Sequence, residues 1–503
     1  MTVWLTLRCL PVSGSAYTFS YVALGEFIAW IIGWCLTLEY AISASATARS
    51  WSGSFVQALQ GFGVKTPVWL DGYKASVFSF SPLAAVIVLL CAAVLLVGAR
   101  ESSTFNVIMT VFNIGVILFV IVLGSIFVDT ANWKPFTPFG FRAVFVGTGK
   151  VFFAYIGFDA VTTLAGEVKN PKRDMPIGVV GTLFIATALY IAAVLVLTGM
   201  VPLSEINKDA PLAAAFHTVG ASWAAHVVAI GSITTLTATT LTSLMGQPRI
   251  FYQMASDGLL FRFMLKLSSK KIPYIATLVT AILAAILAAV LNLDVLSDMI
   301  SIGTLLAFTV VCGGIIVLRY TPEEPTGDSR VWGQDGYGIV WGRFPFVEKI
   351  ARITGKFLVL DIFLWAIIAF VFAIMYRNEI NPFLYLILVP FALIPFLTLH
   401  TLRPQSIPNT FVCPMVPIVP LIGMFVNIFI LSQKEIPGVI YFCIWLVGGI
   451  IIYFAYGFWH SKLRTAARPT KEGSTSLLST ADVVENEPAI TLDHPSDGSI
   501  NSH

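Results

Sequence analysis

Runs of about twenty apolar residues recur along this chain, each long enough to cross ~30 Å of hydrocarbon as a helix. They fall at 18–46, 75–97, 104–128, 146–166, 177–200, 222–247, 273–293, 297–318, 356–375, 383–402, 411–431 and 437–460. In lipid a backbone must satisfy its own N–H and C=O groups, so the predicted fold is an all-α polytopic membrane protein of about 12 transmembrane helices. Composition agrees: 57% of residues are hydrophobic and 11% charged, where soluble domains carry about 25% charged. That excludes a disordered chain or a nucleic-acid-binding domain as the bulk of the molecule.

Short polar turns separate the runs, apart from an amphipathic segment at 249–271 and a loop at 321–351. From Ser461 the chain is rich in Ser, Thr and Pro with scattered acids, a composition that buries too little apolar surface to fold. Assigning alternate loops to opposite sides places 21 of the 30 Lys and Arg on the side of the N-terminus. Only Arg49, Lys65, Lys74, Lys134, Arg142, Lys150, Lys208, Arg377 and Lys434 fall on the other. The positive-inside rule then predicts both termini in the cytoplasm. The first ten residues lack a secretory-signal layout, and no N-x-S/T sequon marks an exterior loop. Six scattered cysteines with no C-x-x-C pair read as small hydrophobes.

Three runs carry groups that lipid does not favour. The fourth contains Phe152-Phe153-Ala154-Tyr155-Ile156-Gly157-Phe158-Asp159, with Gly147, Gly149 and Gly166 nearby. One reading is a broken helix whose unwound backbone lines a cavity and offers carbonyls to a polar solute; the other is a tightly packed Gly-containing helix with Asp159 near its end. The sixth run sets Ser232, Thr235, Thr239 and Thr242 on one helical face. They line a polar pathway, or their hydroxyls bond their own backbone or a neighbouring helix. The first run holds Glu26 and Glu39. Thirteen residues set them near 20 Å apart along a helix, too far for a catalytic pair. An intramembrane carboxylate is a functional hypothesis by default, although Glu26 also suits an interfacial position. The small residues of 41–48 predict a close helix-packing surface.

No nucleophile elbow, zincin or Walker pattern occurs in a plausible context, and the histidines neither cluster nor pair with cysteines. Neither an enzyme, a metal site nor a cofactor is predicted. A solute carrier fits the chain best.

Several motifs, in order, extend that reading. Gly14-Ser15-Ala16-Tyr17, Gly25-Glu26-Phe27-Ile28-Ala29-Trp30-Ile31-Ile32-Gly33-Trp34, Ala48-Arg49-Ser50-Trp51, the Phe152–Asp159 stretch and Glu167-Val168-Lys169-Asn170-Pro171 come first. Asp257-Gly258-Leu259-Leu260-Phe261, Ser301-Ile302-Gly303-Thr304-Leu305-Leu306-Ala307 and Phe454-Ala455-Tyr456-Gly457-Phe458-Trp459-His460-Ser461 follow. Together they resemble the cationic amino acid transporter family of the amino acid-polyamine-organocation superfamily, over about residues 13–462.

The resemblance implies a five-plus-five inverted-repeat transporter fold with extra C-terminal helices. It divides the chain into a remnant of a second family span (1–17), a transporter core (18–320), a cytoplasmic loop (321–355), a C-terminal four-helix region (356–460) and a disordered tail (461–503). Against the family's fourteen spans the first two are missing, and with them the first broken helix, so this form is expected to transport poorly. The function implied is secondary transport of amino acids, cationic ones first (arginine, lysine, ornithine), by alternating access. A non-transporting amino-acid sensor or interaction protein and a proton-coupled neutral permease are the alternatives.

The resemblance also implies roles for residues. The carbonyls of Phe153, Ala154 and Ile156, with Asp159, would receive the substrate ammonium; Ser243, with Thr239 and Thr242, would face its side chain. Asn113 stands where some bacterial members carry a Lys, so a Lys-based proton switch is unavailable, and proton coupling would fall to Glu26 or Glu39. The expected partners are an amino acid and the lipid bilayer, with no nucleic acid. The membrane is the plasma membrane or a vacuolar or lysosomal one.

Overall fold

In the computed structural model the described residues are 15–67, 79–97, 103–158, 170–207, 210–268, 272–320, 357–380, 385–401 and 415–462, with isolated positions between and just beyond them. Contacts divide the chain into Met1–His460 and Ser461–His503, and the second unit lies almost wholly outside the described residues. So do the loop predicted after Tyr320 and Asp159.

Helices carry the architecture. In chain order they are α1 Ser15–Leu24, α2 Glu26–Gly61, α3 Pro82–Val97, α4 Ser103–Gly124, α5 Gly140–Val151, α6 Pro171–Met200 and α7 Pro211–Thr218. Then come α8 Ser222–Ser256, α9 Tyr274–Val290, α10 Leu293–Tyr320, α11 Leu358–Arg377, α12 Tyr385–Thr401, α13 Ile418–Ser432 and α14 Ile436–Ile452. The last continues through a π turn, Tyr453–Gly457, into Phe458–His460. A two-residue antiparallel pair, Tyr73–Lys74 (β1) on Ser79–Phe80 (β2), is the one sheet among the described residues.

Among the described residues seven helices are long and apolar enough to cross a membrane, and α3, α9, α12 and α13 contain shorter apolar helices. These eleven and the interrupted α5 occupy the twelve apolar runs. Burial ranks them: 78% of the apolar window is buried in α2 and in α10, against 11% in α4 and in α6. The first pair is therefore the interior of the bundle and the second presents its side chains outward, as a lipid-facing helix does.

Two boundaries differ from expectation. The first apolar run is two helices, because Gly25 at φ 90° breaks the chain and Glu26 opens α2. α2 then continues to Gly61, 36 residues or about 54 Å, well beyond the hydrocarbon thickness. The sixth run also continues past Pro248 to Ser256 and absorbs the start of the segment read as amphipathic.

The predicted small-residue surface is present: Ala41, Ala44, Ala46 and Ala48 are buried, and Ser45 donates to the Ala284 carbonyl of α9 at 2.8 Å. Cys35, Cys91, Cys312 and Cys413 are buried, as small hydrophobes would be. At one end of the core, indoles join α2 to α14. Trp30 Nε1 donates to Gly449 O at 3.0 Å and Trp34 Nε1 to Trp445 O at 2.9 Å. Trp445 Nε1 returns a bond to Trp34 O at 3.3 Å, with the two rings stacked at 4.6 Å.

Candidate functional site

α5 does not cross as a continuous helix. After Val151 the backbone tightens into a 3-10 turn at Phe152–Tyr155, Ile156 is extended (φ −65°, ψ 137°), and Gly157 takes φ +113°. A side chain is strained at that φ and glycine is not, so the sequence places its one permissive residue at the break. Among the described residues no atom lies within 4 Å of the place a Gly157 Cβ would take.

The carbonyls at this break are partly engaged. Phe153 O accepts from Ile156 N at 3.2 Å, and Ala154 O accepts from the hydroxyl of Tyr190 on α6 at 3.1 Å. Each carbonyl oxygen has a second lone pair, so both can accept from a solute too. The Phe153 and Ile156 side chains pack against a buried cluster that includes Leu296 and Ile300 of α10.

The sixth run's hydroxyls divide into two sets. Thr239 and Thr242 are exposed and donate to the carbonyls four residues back, Thr235 O and Ala238 O, both at 2.9 Å. A second set forms a polar seam with α2: Ser243 with Ser43 at 3.1 Å, Thr240 with Thr47 at 2.9 Å, and Thr237 with the Trp51 indole at 2.8 Å. Steps of four along α2 against three along α8, in reverse order, are the register of two antiparallel helices. Ser243 thus lies on this seam, and its hydroxyl already has a partner.

Thr235 leaves the pattern. Its hydroxyl donates to Asn113 Oδ1 of α4 at 3.2 Å. Both residues line a cavity of about 360 Å³ between α2, α4, α7 and α8, with Ser54, Gln57, His217 and His226. That volume lies in the ~300–1,000 Å³ range of small-molecule sites. The Gln57 side-chain Oε1 is buried there without a hydrogen-bond partner among the described residues, and His226 Nε2 sits 3.3 Å from Gly61 O. Sequence reading missed Gln57 and the two histidines. Their signal was weak: single polar residues in apolar helices, brought together only by the packing of α7 and α8 on α2. Phe153, Ala154, Ile156, Thr239, Thr242 and Ser243 are not among the lining residues.

The two acids occupy different environments. Glu39 is buried and accepts from Thr304 Oγ1 of α10 at 2.7 Å. Glu26, half-buried at the start of α2, accepts from the Tyr453 hydroxyl at 2.9 Å, where the π turn begins. No group of three or more potential metal ligands occurs among the described residues.

Residues 1–393 match the amino acid permease family model, and 411–461 match the model for the C-terminus of that permease. The methylthioribose transporter of Bacillus subtilis is 42% identical over 325 residues, 64% of this chain and 70% of that protein. Mouse cationic amino acid transporter 4 is 32% identical over 499 residues, 90% of this chain and 78% of its own. The B. subtilis branched-chain amino acid permease BcaP is 32% identical over 460 residues, 90% and 81%. With the family model covering most of the chain, the apolar helices and the interrupted α5 have one common account: this protein belongs to the amino acid permease family and is an integral membrane transporter of amino acids.

Proposed function

We propose that this chain moves cationic amino acids across its membrane by alternating access, with both termini in the cytoplasm. The observation that carries the reading is the break in α5 at Val151–Gly157, where carbonyls of Phe153, Ala154 and Ile156 leave regular helix and can receive a substrate ammonium. Support for a cationic side chain comes from the mouse relative, whose name specifies cationic amino acids and which matches 90% of this chain. The lining of the cavity is compatible: Ser54, Gln57, Asn113 and Thr235 offer neutral acceptors, and among the described residues no Lys or Arg lines it. A guanidinium or ammonium needs such acceptors once water is removed.

The Asn113–Thr235 pair holds no titratable group. A Lys-based proton switch is thus absent at this pair, and we infer facilitated diffusion driven by the substrate gradient and by a membrane potential worth ~2.3 kcal/mol per charge per 100 mV, with His217, His226, Glu26 and Glu39 as the titratable groups whose substitution tests it. A second reading, a neutral substrate, is favoured by one specific observation: among the described residues no Asp or Glu lines the cavity. Uptake of labelled arginine into proteoliposomes, with lysine, ornithine and leucine as competitors, separates the two. Displacement of the labelled arginine by lysine and ornithine, however slow the uptake, is the result expected of the cationic reading. Displacement by leucine alone would establish the neutral reading, and a ligand-induced thermal shift without any uptake would establish a sensor.

A further inference from the structure

The turn between α13 and α14, residues 433–435, touches the end of α5 just ahead of the break. Lys434 is its central residue. The side chain is 1% exposed, and its ammonium donates to the carbonyl of Gly149 and lies 3.2 Å from Oδ1 of Asp298, itself 3% exposed, on α10. Gly149 O belongs to the last four carbonyls of α5, which a helix leaves without partners of its own, and a cation is favoured there. Lys434 is therefore a C-terminal cap supplied from another part of the chain.

The surroundings hold this cap in place. Arg377, at the end of α11, donates to Ser432 O at 2.8 Å and to Lys434 O at 2.9 Å. Gly438 of α14 lets Asp298 approach, since a Cβ there would lie 2.6 Å from the Asp298 Cβ. Two further pairs reach α5: Lys150 with Glu435 at 2.6 Å, and Arg142 with Glu379 and the Arg377 carbonyl. Both ends of α5 are thus held by groups from α11 and the α13–α14 turn. Burial lowers the proton affinity of Lys434 and Asp298 opposes that shift.

A buried ion pair is a poor source of stability, because desolvation offsets most of the attraction; what it supplies here is position. We infer that Lys434 is a positioning residue for the transport cycle: with Asp298 as its counter-charge it caps α5 next to the break, so helices of the C-terminal region set where the interrupted helix sits. The inference concerns the break itself and does not depend on the cationic assignment.

The test uses the full chain carrying Lys434→Met together with Asp298→Asn, which removes the cap without stranding a buried charge. Hydrogen–deuterium exchange over residues 150–157 is expected to quicken about tenfold, while α2 and α10 keep their protection. In proteoliposomes the maximal rate of labelled-arginine or labelled-leucine uptake should change severalfold while the half-saturating concentration moves less than about twofold. Lys434→Arg, which keeps the charge and the donors, should recover part of the wild-type rate. Unchanged exchange over 150–157 overturns the inference. So does an increase spread equally over α2 and α10, or an unaltered maximal rate, because the pair would then serve stability alone. Exchange is read without substrate, so a chain that carries only leucine would remove the cationic reading and leave this one standing.

Discussion

Thr304 Oγ1 donates a 2.7 Å hydrogen bond to Glu39 Oε2, tying the middle of α2 to α10 where both residues are buried. Glu39→Gln keeps a carbonyl oxygen for Thr304, whereas Glu39→Leu removes it. A hydrogen bond is worth about 0.5–1.5 kcal/mol, so the Leu variant should lose at least that order of stability and the Gln variant less. Melting followed by size-exclusion chromatography reads the difference, and equal losses would mean that shape alone matters. Arginine uptake by Glu39→Gln at clamped potential should keep the wild-type response to an imposed proton gradient.

Gly157 at φ +113° tests a backbone effect. Gly157→Ala meets no neighbour among the described residues, and at that φ a Cβ costs about 1–3 kcal/mol in conformation. Uptake should fall about fivefold or more while the melting temperature of the bundle stays close to wild type. A variant with normal uptake would show that the break does not need this conformation during transport.

Ser243 lies 3.1 Å from Ser43 on the α2–α8 seam, so a substitution there acts on packing as well as on any substrate. Ser243→Met should raise the apparent KM for arginine about tenfold more than that for alanine, a difference of ~1.4 kcal/mol. Ser43→Ala, which loosens the same contact from the other helix, should affect both substrates alike. Equal effects of Ser243→Met on the two would confine Ser243 to the seam.

Removing one indole tests the contact between α2 and α14. Trp445→Phe loses the bond to Trp34 O while retaining a ring to stack, and should cost about 1 kcal/mol. Trp445→Ala loses the stacking and burial too, at about 3–5 kcal/mol. Detergent stability by fluorescence size exclusion orders the two variants, and a Phe variant as damaged as the Ala one would place the weight on the hydrogen bond.

Much of the fold was legible because lipid imposes a simple rule on helices. Eleven of the twelve apolar runs hold an apolar helix among the described residues, and in the fourth the glycine between aromatics at 157 marked the break. Hydroxyl partners were not legible, since they depend on how each helix turns about its axis. Thr235, Thr237 and Thr239 sit within five residues, yet they bond Asn113 of α4, Trp51 of α2 and their own helix respectively. Gly25 read as part of a continuous run, because hydropathy does not register a change of φ. Lys434 and Asp298 are 136 residues apart and lie in otherwise ordinary segments, so only their packing reveals the pair.

The reciprocal bonds between Trp34 and Trp445 also set an order of events during synthesis. Their partners are 411 residues apart. At roughly 5–20 residues per second, the ribosome needs about 20–80 s to deliver α14 after α2. For that interval the indoles of Trp30 and Trp34 wait without the carbonyls of Gly449 and Trp445, and the face of α2 they stand on must be covered by lipid, by the translocon or by a chaperone. One of the two most buried helices of the bundle is thus made well before the helix that closes over its indoles.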